Sequence, residues 1–192
     1  MTVYVTSDTH AFHKNICSGI SEWGSGASRD FDCAAKMTEH MADSINKLVM
    51  PDDTLYHLGD WSFGGRDKIP LFRSMINCKN IHLIYGNHDH NIEKNDEYKR
   101  LFSSVGHYKE KFFGKTLVVM FHYPISSWNG IGKGVNLFGH CHGTFKDCRG
   151  RQMDVGVDTN NYLPYSMDEI LDKMKDIKPV LVDHHNENSN LR

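Results

Sequence analysis

No stretch of this 192-residue sequence approaches the roughly 18 consecutive apolar residues of a membrane span. Its first residues, MTVYVTSDTH, enter a strand pattern at once, without the basic n-region and long apolar segment of a signal peptide. Charge of one sign is also missing. The 22 Lys and Arg against 24 Asp and Glu leave a formal net charge of −2, which argues against gripping long nucleic acid by field alone. The five cysteines (17, 33, 78, 141 and 148) contain no C-x-x-C pair, so free thiols in a reducing compartment are expected rather than a disulfide framework. Neither an internal repeat nor a low-complexity tract is visible. These absences lead to the expectation of a cytoplasmic protein that makes no use of a membrane.

An apolar content of 39% and a charged content of 24% are those of a folded globular chain rather than a disordered one. The length suits one domain, expected over 1–182, followed by a polar tail over 183–192. Thirteen histidines are a compositional hint of metal. The first half alternates β and α patterns. Strands are expected at 2–6, 54–58 and 81–85, and helices where Ala34, Met37, Met41, Ile45 and Leu48 fall at helical spacing, over 69–76 and over 92–103. Pro51 closes off the first helix. The second half reads mostly as β: a hairpin of 109–113 and 116–121 around Gly114-Lys115, then strands at 135–138 and 151–157. Ser166 with Glu169 makes a capping box for a last helix with Ile170, Leu171, Met174 and Ile177 on its apolar stripe. The expected fold class is α/β: two packed sheets with helices outside.

Five of the short apolar runs end in a group that can bind a metal ion. They are VYVTSDTH with Asp8 and His10, LYHLGD with Asp60, IHLIYGNHD with Asn87 and His88, LVVMFH with His122, and VNLFGHCH with His140 and His142. Polar residues just past strand ends lie at a sheet edge, where α/β folds build their sites. Asp8/His10 and His140/His142 are two apart, so on extended chain each pair faces one side. Gly59, Gly86 and Gly139 directly precede ligands and permit tight turns. Nitrogen and oxygen donors without an obligatory thiolate suit Mn²⁺, Fe, Zn²⁺ or Ni²⁺ rather than Ca²⁺. Singly, an Asp-x-His is a surface pair, a Gly-Asp a turn and a lone His a core histidine; packing offers no reason for all five at strand ends.

SDTH, the Gly-Asp at 59–60, GNHD at 86–89, His122 and GHCH at 139–142, in that order, resemble the signature of the calcineurin-like metallophosphoesterases. The resemblance runs from about residue 1 to 161. Within it, DTHAFHKNI and DVGVDTNNYLPYS look like the compact single-domain enzymes of bacteria and their phages. It implies a four-layer αββα sandwich holding two divalent cations, with Mn²⁺ leading and Fe, Ni²⁺ or Zn²⁺ as alternatives. Asp8, His10, Asp60 and His142 would hold one ion, and Asp60, Asn87, His122 and His140 the other. Asp60 would bridge them, and His88 would stand by the leaving group. The implied activity is hydrolysis of a phosphodiester or nucleotide phosphate ester by attack of a metal-bridging hydroxide, with His88 as general acid. Asp89 would orient His88 and favour its charged form, or else serve as an acid at a helix start.

Protein phosphatases of the family carry Gly-Asp-x-x-Asp-Arg-Gly and Gly-Asn-His-Glu. Here the matching stretches are GDWSFGG and GNHD, which disfavours a phosphoprotein substrate. The expected partner is a small phosphate-ester or nucleotide substrate; nucleic acid is not favoured and the oligomeric state is left open. Two rivals remain: a catalytically weak scaffold or binding module of the same fold, and a mononuclear Zn²⁺ hydrolase using part of the donor set. On the substrate side, His13 and Asn15 read either as phosphate or ribose contacts or as loop hydrogen bonding. Arg29 and Arg66 read as phosphate contacts or solvated surface arginines. Phe12, Trp23, Trp61 and Trp128 read as base-stacking or core rings. Tyr123 and Pro124 shape the turn after His122, and Cys141 points away by alternation. His57, His82, His90, His107, His184 and His185 are left as ordinary histidines.

Overall fold

The structure, a computed structural model, describes residues 1–17 and 29–180. Trp23 and the expected tail at 183–192 lie outside the described residues. In the first half, β1 (Val3–Thr6), β2 (Thr54–His57), β3 (Asn80–Ile84) and β4 (Ser104–Gly106) alternate with α1 (Ala34–Leu48), α2 (Lys68–Met75), α3 (His90–Glu93) and α4 (Asp96–Lys99). In the second half come β5 (Tyr108–Phe113), β6 (Thr116–Phe121), β7 (Val135–Phe138), β8 (Gln152–Asp154), β9 (Tyr165–Ser166) and α5 (Met167–Met174). The strands form two sheets, ordered β4-β3-β2-β1-β9 and β5-β6-β7-β8. The first is parallel except for β9, and the second is parallel except for the β5–β6 hairpin.

Adjacent residues on one strand belong to different cores, which is the period-two rule at work. Leu55 and Leu83 pack outward against Met37, Met41 and Ile45 of α1 and Ile69 and Phe72 of α2. Their neighbours Tyr56 and Ile84 face the other way, onto Val118 and Met120 of β6 and Val135 and Leu137 of β7. Val5, Ile170 and Met174 join that inner core, so α5 closes one side of the sandwich. Val119, between the two inward residues of β6, packs outward on Trp128 and Ile131. The result is a mixed α/β fold of two stacked sheets flanked by helices.

Three local expectations are corrected. The helix expected over 92–103 is instead α3 and α4, because Asn95 turns extended (φ −131°) and its side chain accepts the Glu97 N–H to start a new cap. The strand expected over 151–157 stops at Asp154, whose carboxylate takes the N–H groups of Gly143 and Gly156, and a single 3₁₀ turn follows at Val157–Thr159. β4 and β9 carry no strand signal of their own: they have three and two residues, and pairing with β3 and β1 defines them. The capping box forms as read: Ser166 accepts from Glu169 N–H while Glu169 takes the Ser166 N–H. No helix among the described residues is long and apolar enough to cross a membrane.

His57, at the end of β2, ties the first two strands' loops together. Its Nδ1 accepts the Gly59 N–H at 3.3 Å. Thr9 donates its hydroxyl to the Trp61 carbonyl at 2.8 Å, so it accepts from His57 Nε2–H at 2.9 Å, which makes the ring neutral. Burial, with the nearby His122, pushes its pKa from 6.5 down to about 3. Between those values the unfolded chain binds the extra proton, so this stabilisation is complete above the ordinary value and is lost as pH falls. Asp8 and Asp89, raised by burial, titrate with opposite sign, so a difference is the informative quantity. The unfolding free energy of wild type minus that of His57→Gln should grow with pH across this window by up to about 1.4 kcal/mol per unit. Urea melts of the metal-free proteins measure it, and a pH-independent difference would refute the neutral-histidine account.

Candidate metal centre

The C-terminal ends of β1, β2, β3, β6 and β7 converge on one edge of the sandwich. Each carries the residues singled out by sequence: Asp8 and His10, Asp60, Asn87 and His88, His122, and His140 and His142. The loops after β1 and β2 run side by side, with Asp8 N–H on the Gly59 carbonyl and His10 N–H on the Asp60 carbonyl, both at 2.9 Å. They do so in an unusual backbone. Of the eight non-glycine residues with positive φ among the described residues, five are Asp8, His10, Asp60, His140 and His142. The expectation that i and i+2 share a side because the chain is extended is therefore corrected. These pairs share a side through left-handed residues, each costing about 1–3 kcal/mol of backbone strain. Strain so concentrated marks a functional site.

Two groups of donor atoms lie within 4.8 Å of one another: Asp8, His10 and His142 in one, and Asp60, His122 and His140 in the other. A third group at that separation, His10, Asp60 and His88, overlaps both. Asp60 Oδ2 lies between the first two, 3.4 Å from His10 Nε2 and 3.6 Å from His122 Nε2. Its Oδ1 accepts the His88 N–H at 2.9 Å. His122 Nδ1–H donates to the Leu58 carbonyl at 2.7 Å, which leaves Nε2 as a lone pair. That nitrogen faces Asn87 Oδ1 at 3.0 Å, and burial lowers its pKa. His122 Nε2 thus faces two acceptor oxygens, of Asp60 and Asn87, with no donor among the three. The His10 ring is 1% exposed and neither of its nitrogens has a hydrogen-bond partner. Burial, then the charge of Arg29, hold its pKa well below the usual value. Buried acceptors without donors are costly unless a cation joins them. The donor chemistry and the orphaned His10 ring fit divalent metal.

Several side chains hold this arrangement from behind. His142 Nδ1–H donates to Asp158 Oδ2 at 2.8 Å, which turns its Nε2 toward Asp8 and His10. Burial opposes a proton on His142, but the bond to Asp158 and the Asp8 charge raise its pKa overall. Arg29, 1% exposed, grips both Asp158 oxygens at 2.8 Å and donates to the Asp8 and Thr9 carbonyls at 2.5 and 2.9 Å. Arg29 is therefore not a solvated surface arginine; its guanidinium is committed to the strained loop and Asp158. The Asp158 carboxyl stays below its ordinary range, since His142 and Arg29 outweigh the burial that opposes ionisation. The run DVGVDTNNYLPYS contains Asp158 but gives it no role, because its partners His142 and Arg29 lie 16 and 129 residues away.

Asp89 stands at the start of α3, the second of the two positions read for it. Its carboxylate takes the backbone N–H groups of Asp60, Trp61 and Gly86, at 2.8, 3.0 and 2.8 Å. It clamps the β2 and β3 loops together instead of meeting the His88 ring, and as the residue before α3 it makes no side-chain cap. Burial, then repulsion from Asp60, raise its pKa to about 7. Among the substrate-side candidates, His13 is buried and stacks on Phe63. Asn15 and Arg66 are exposed and stand outside the donor groups. Trp61 and Trp128 are core rings, and Phe12 is partly buried against the α1 core. Tyr123 packs its ring against His122 and His140, at centroid distances of 4.9 and 4.7 Å.

Two glycines admit the backbone where a side chain cannot go. A Cβ on Gly86 would overlap Asp60 Oδ1, and one on Gly139 would overlap Ser7 Oγ and Asp8 Oδ2. Gly139→Ala must therefore displace the Asp8 carboxylate, whose two oxygens also accept the His140 N–H at 3.0 and 2.9 Å. We expect about 10- to 100-fold weaker Mn²⁺ binding by calorimetry, with an unchanged circular dichroism spectrum. Unaltered affinity would show that Asp8 is not a metal ligand.

The calcineurin-like phosphoesterase family model matches residues 1–192. Among solved structures, a protein of unknown function from Aquifex aeolicus is similar at 25% identity, covering 90% of this chain and 98% of that one with a TM-score of 0.68. An archaeal phosphodiesterase follows at 20% identity, 81% and 82% coverage and TM-score 0.47. A nuclease from Pseudomonas putida shows 16% identity, 73% and 60% coverage and TM-score 0.44. No curated protein matches the chain. With the family match spanning every residue, this chain belongs to the calcineurin-like phosphoesterases.

Proposed function

We propose that this chain is a dinuclear metal-dependent phosphoesterase that hydrolyses phosphodiesters or nucleotide phosphate esters. The observation that carries the reading is the Asp60 carboxylate, whose Oδ2 lies within 3.4 and 3.6 Å of histidine nitrogens from two donor groups. Asp8, His10, Asp60 and His142 would hold one cation, and Asp60, Asn87, His122 and His140 the other, with Mn²⁺ the best chemical match. Two such cations, when bound, supply the Lewis acidity that makes water nucleophilic near neutral pH and offsets phosphoryl charge.

The chain's own groups do the rest. The water oxygen forms a bond to phosphorus, the ester P–O bond breaks, and the departing oxygen must take a proton. His88 supplies that proton, as its backbone N–H is fixed on Asp60 Oδ1 and its ring stands with His10 and Asp60. Asp89 acts as a positioning residue, holding the Gly86–His88 turn against Asp60. Arg29 and Asp158 keep His142 in the tautomer that offers Nε2. The donor set is complete at every position the family signature implies, which favours an enzyme over a scaffold.

His88→Ala should keep its metal content and lose about 100- to 10,000-fold in turnover on esters with poor leaving groups. It should lose far less on bis-p-nitrophenyl phosphate, whose leaving group needs little protonation. Equal losses on both substrates would remove His88 from the role of acid. Asp60→Asn should bind fewer metal ions by elemental analysis and lose activity on both substrates. Two ions per chain with full activity would end the bridging assignment, and one ion per fully active wild-type chain would select the mononuclear alternative.

A further inference from the structure

A cleft of about 270 Å³ opens beside His88, lined by Ser62, Phe63, Ile69, Asn91 and Ile92 and by the side-chain-free wall of Gly64 and Gly65. It lies outside the two donor groups but shares His88 with the group that contains His10 and Asp60. We propose that this cleft is a subsite for the leaving group of the ester, and that it takes a flat aromatic ring of nucleobase size. The proposal rests on the hydrolytic reading above for the identity of the leaving group, and on the cleft alone for the identity of the ring.

Position comes first. If His88 gives its proton to the departing oxygen, whatever that oxygen carries projects from His88 into the space beside it, and this cleft is that space. Shape and chemistry then select the occupant. Phe63 is a large aromatic residue left 37% exposed, yet it is held firmly. One face stacks on His13 at a centroid distance of 3.9 Å, and His88 meets it nearly edge-on at 5.2 Å. A ring anchored by two neighbours loses little freedom when a third ring packs on it. Ile69 and Ile92, both buried, add an apolar floor.

Polarity narrows the choice further. Asn91 and His90 line the same cleft and offer polar groups that a polar atom on a ring edge can meet. No Lys or Arg lines the cleft, so it is not built for a second phosphate. Its volume sits just below the roughly 300–1,000 Å³ of drug-sized ligand pockets, room for one ring system and not for a length of polymer. A cleft with a fixed aromatic wall, an apolar floor and polar side chains at its edge fits a nucleoside leaving group.

Adenosine, which carries no phosphate, tests the ring site apart from the chemistry. Histidine ring resonances of the full chain are followed by NMR during titration with adenosine and, as control, ribose. Bis-p-nitrophenyl phosphate hydrolysis with Mn²⁺ is measured on the same preparations. Adenosine should shift the His88 and His90 signals saturably, while ribose should not, and adenosine should inhibit hydrolysis competitively. Phe63→Ala should weaken adenosine binding about 10-fold, a typical loss for one stacked base, and Phe63→Trp should restore it. The proposal is overturned if adenosine gives no saturable shift, or if Phe63→Ala binds it as wild type does. Phe63-dependent adenosine binding without any hydrolysis upholds the ring site and brings down only the hydrolytic reading. Hydrolysis without Phe63-dependent binding does the reverse.

Discussion

Asp60 is the point on which loops from separate strands meet. One carboxylate oxygen faces the nitrogens of His10 and His122, the other takes the His88 N–H, and its backbone N–H is held by Asp89. Pulling these groups together without a donor among the inward-facing atoms is electrostatically unfavourable in a buried place. The surrounding fold has to impose it. It does so with strand ends from two sheets, because the chain just past a strand's last paired residue is fixed in position yet free to turn. The sandwich therefore contributes rigidity, and the loop residues contribute charge.

That rigidity is visible in how many polar groups hold the site from outside. Arg29 bonds to Asp158 and to the carbonyls of Asp8 and Thr9, and Asp158 holds His142. Asp154 holds Gly143 and Gly156, and Asp89 clamps the β2 and β3 loops. Each bond offsets part of the strain stored in the left-handed residues that aim the candidate ligands. Asp89 is buried and Asp154 and Asp158 are partly buried, and desolvation raises the pKa values of Asp154 and Asp89. Ionising them is easiest when cations sit nearby, so the supporting groups and the donor groups are electrostatically one unit.

Much of this was legible because the sequence places recognisable side chains directly after apolar runs. β1, β2, β3, β6 and β7 were identifiable from those runs, and the donors from their endings. What was not legible depended on distance along the chain. Arg29 looked like a surface residue, and nothing local says that it will be buried against Asp158. Asp89 reads as a partner for the His88 ring or as an acid at a helix start, and neither reading foresees that its carboxylate turns back onto the backbone of the loop after β2. Phe63 has no legible role, because an aromatic ring in a Gly-rich loop has no period. The short β4 and β9 leave no pattern, because a strand of two or three residues is defined by its neighbour.

Hydrophobic period and the residue chemistry at strand ends set the class of fold, the family signature and the kinds of atoms available for metal. Tertiary structure alone decided which donors share a space, which charges stand behind them, and where a cleft opens beside His88. Those outcomes depend on through-space distances between residues dozens of positions apart. Local propensity is silent about such distances, because burial and hydrogen bonding are set only once the sheets have packed.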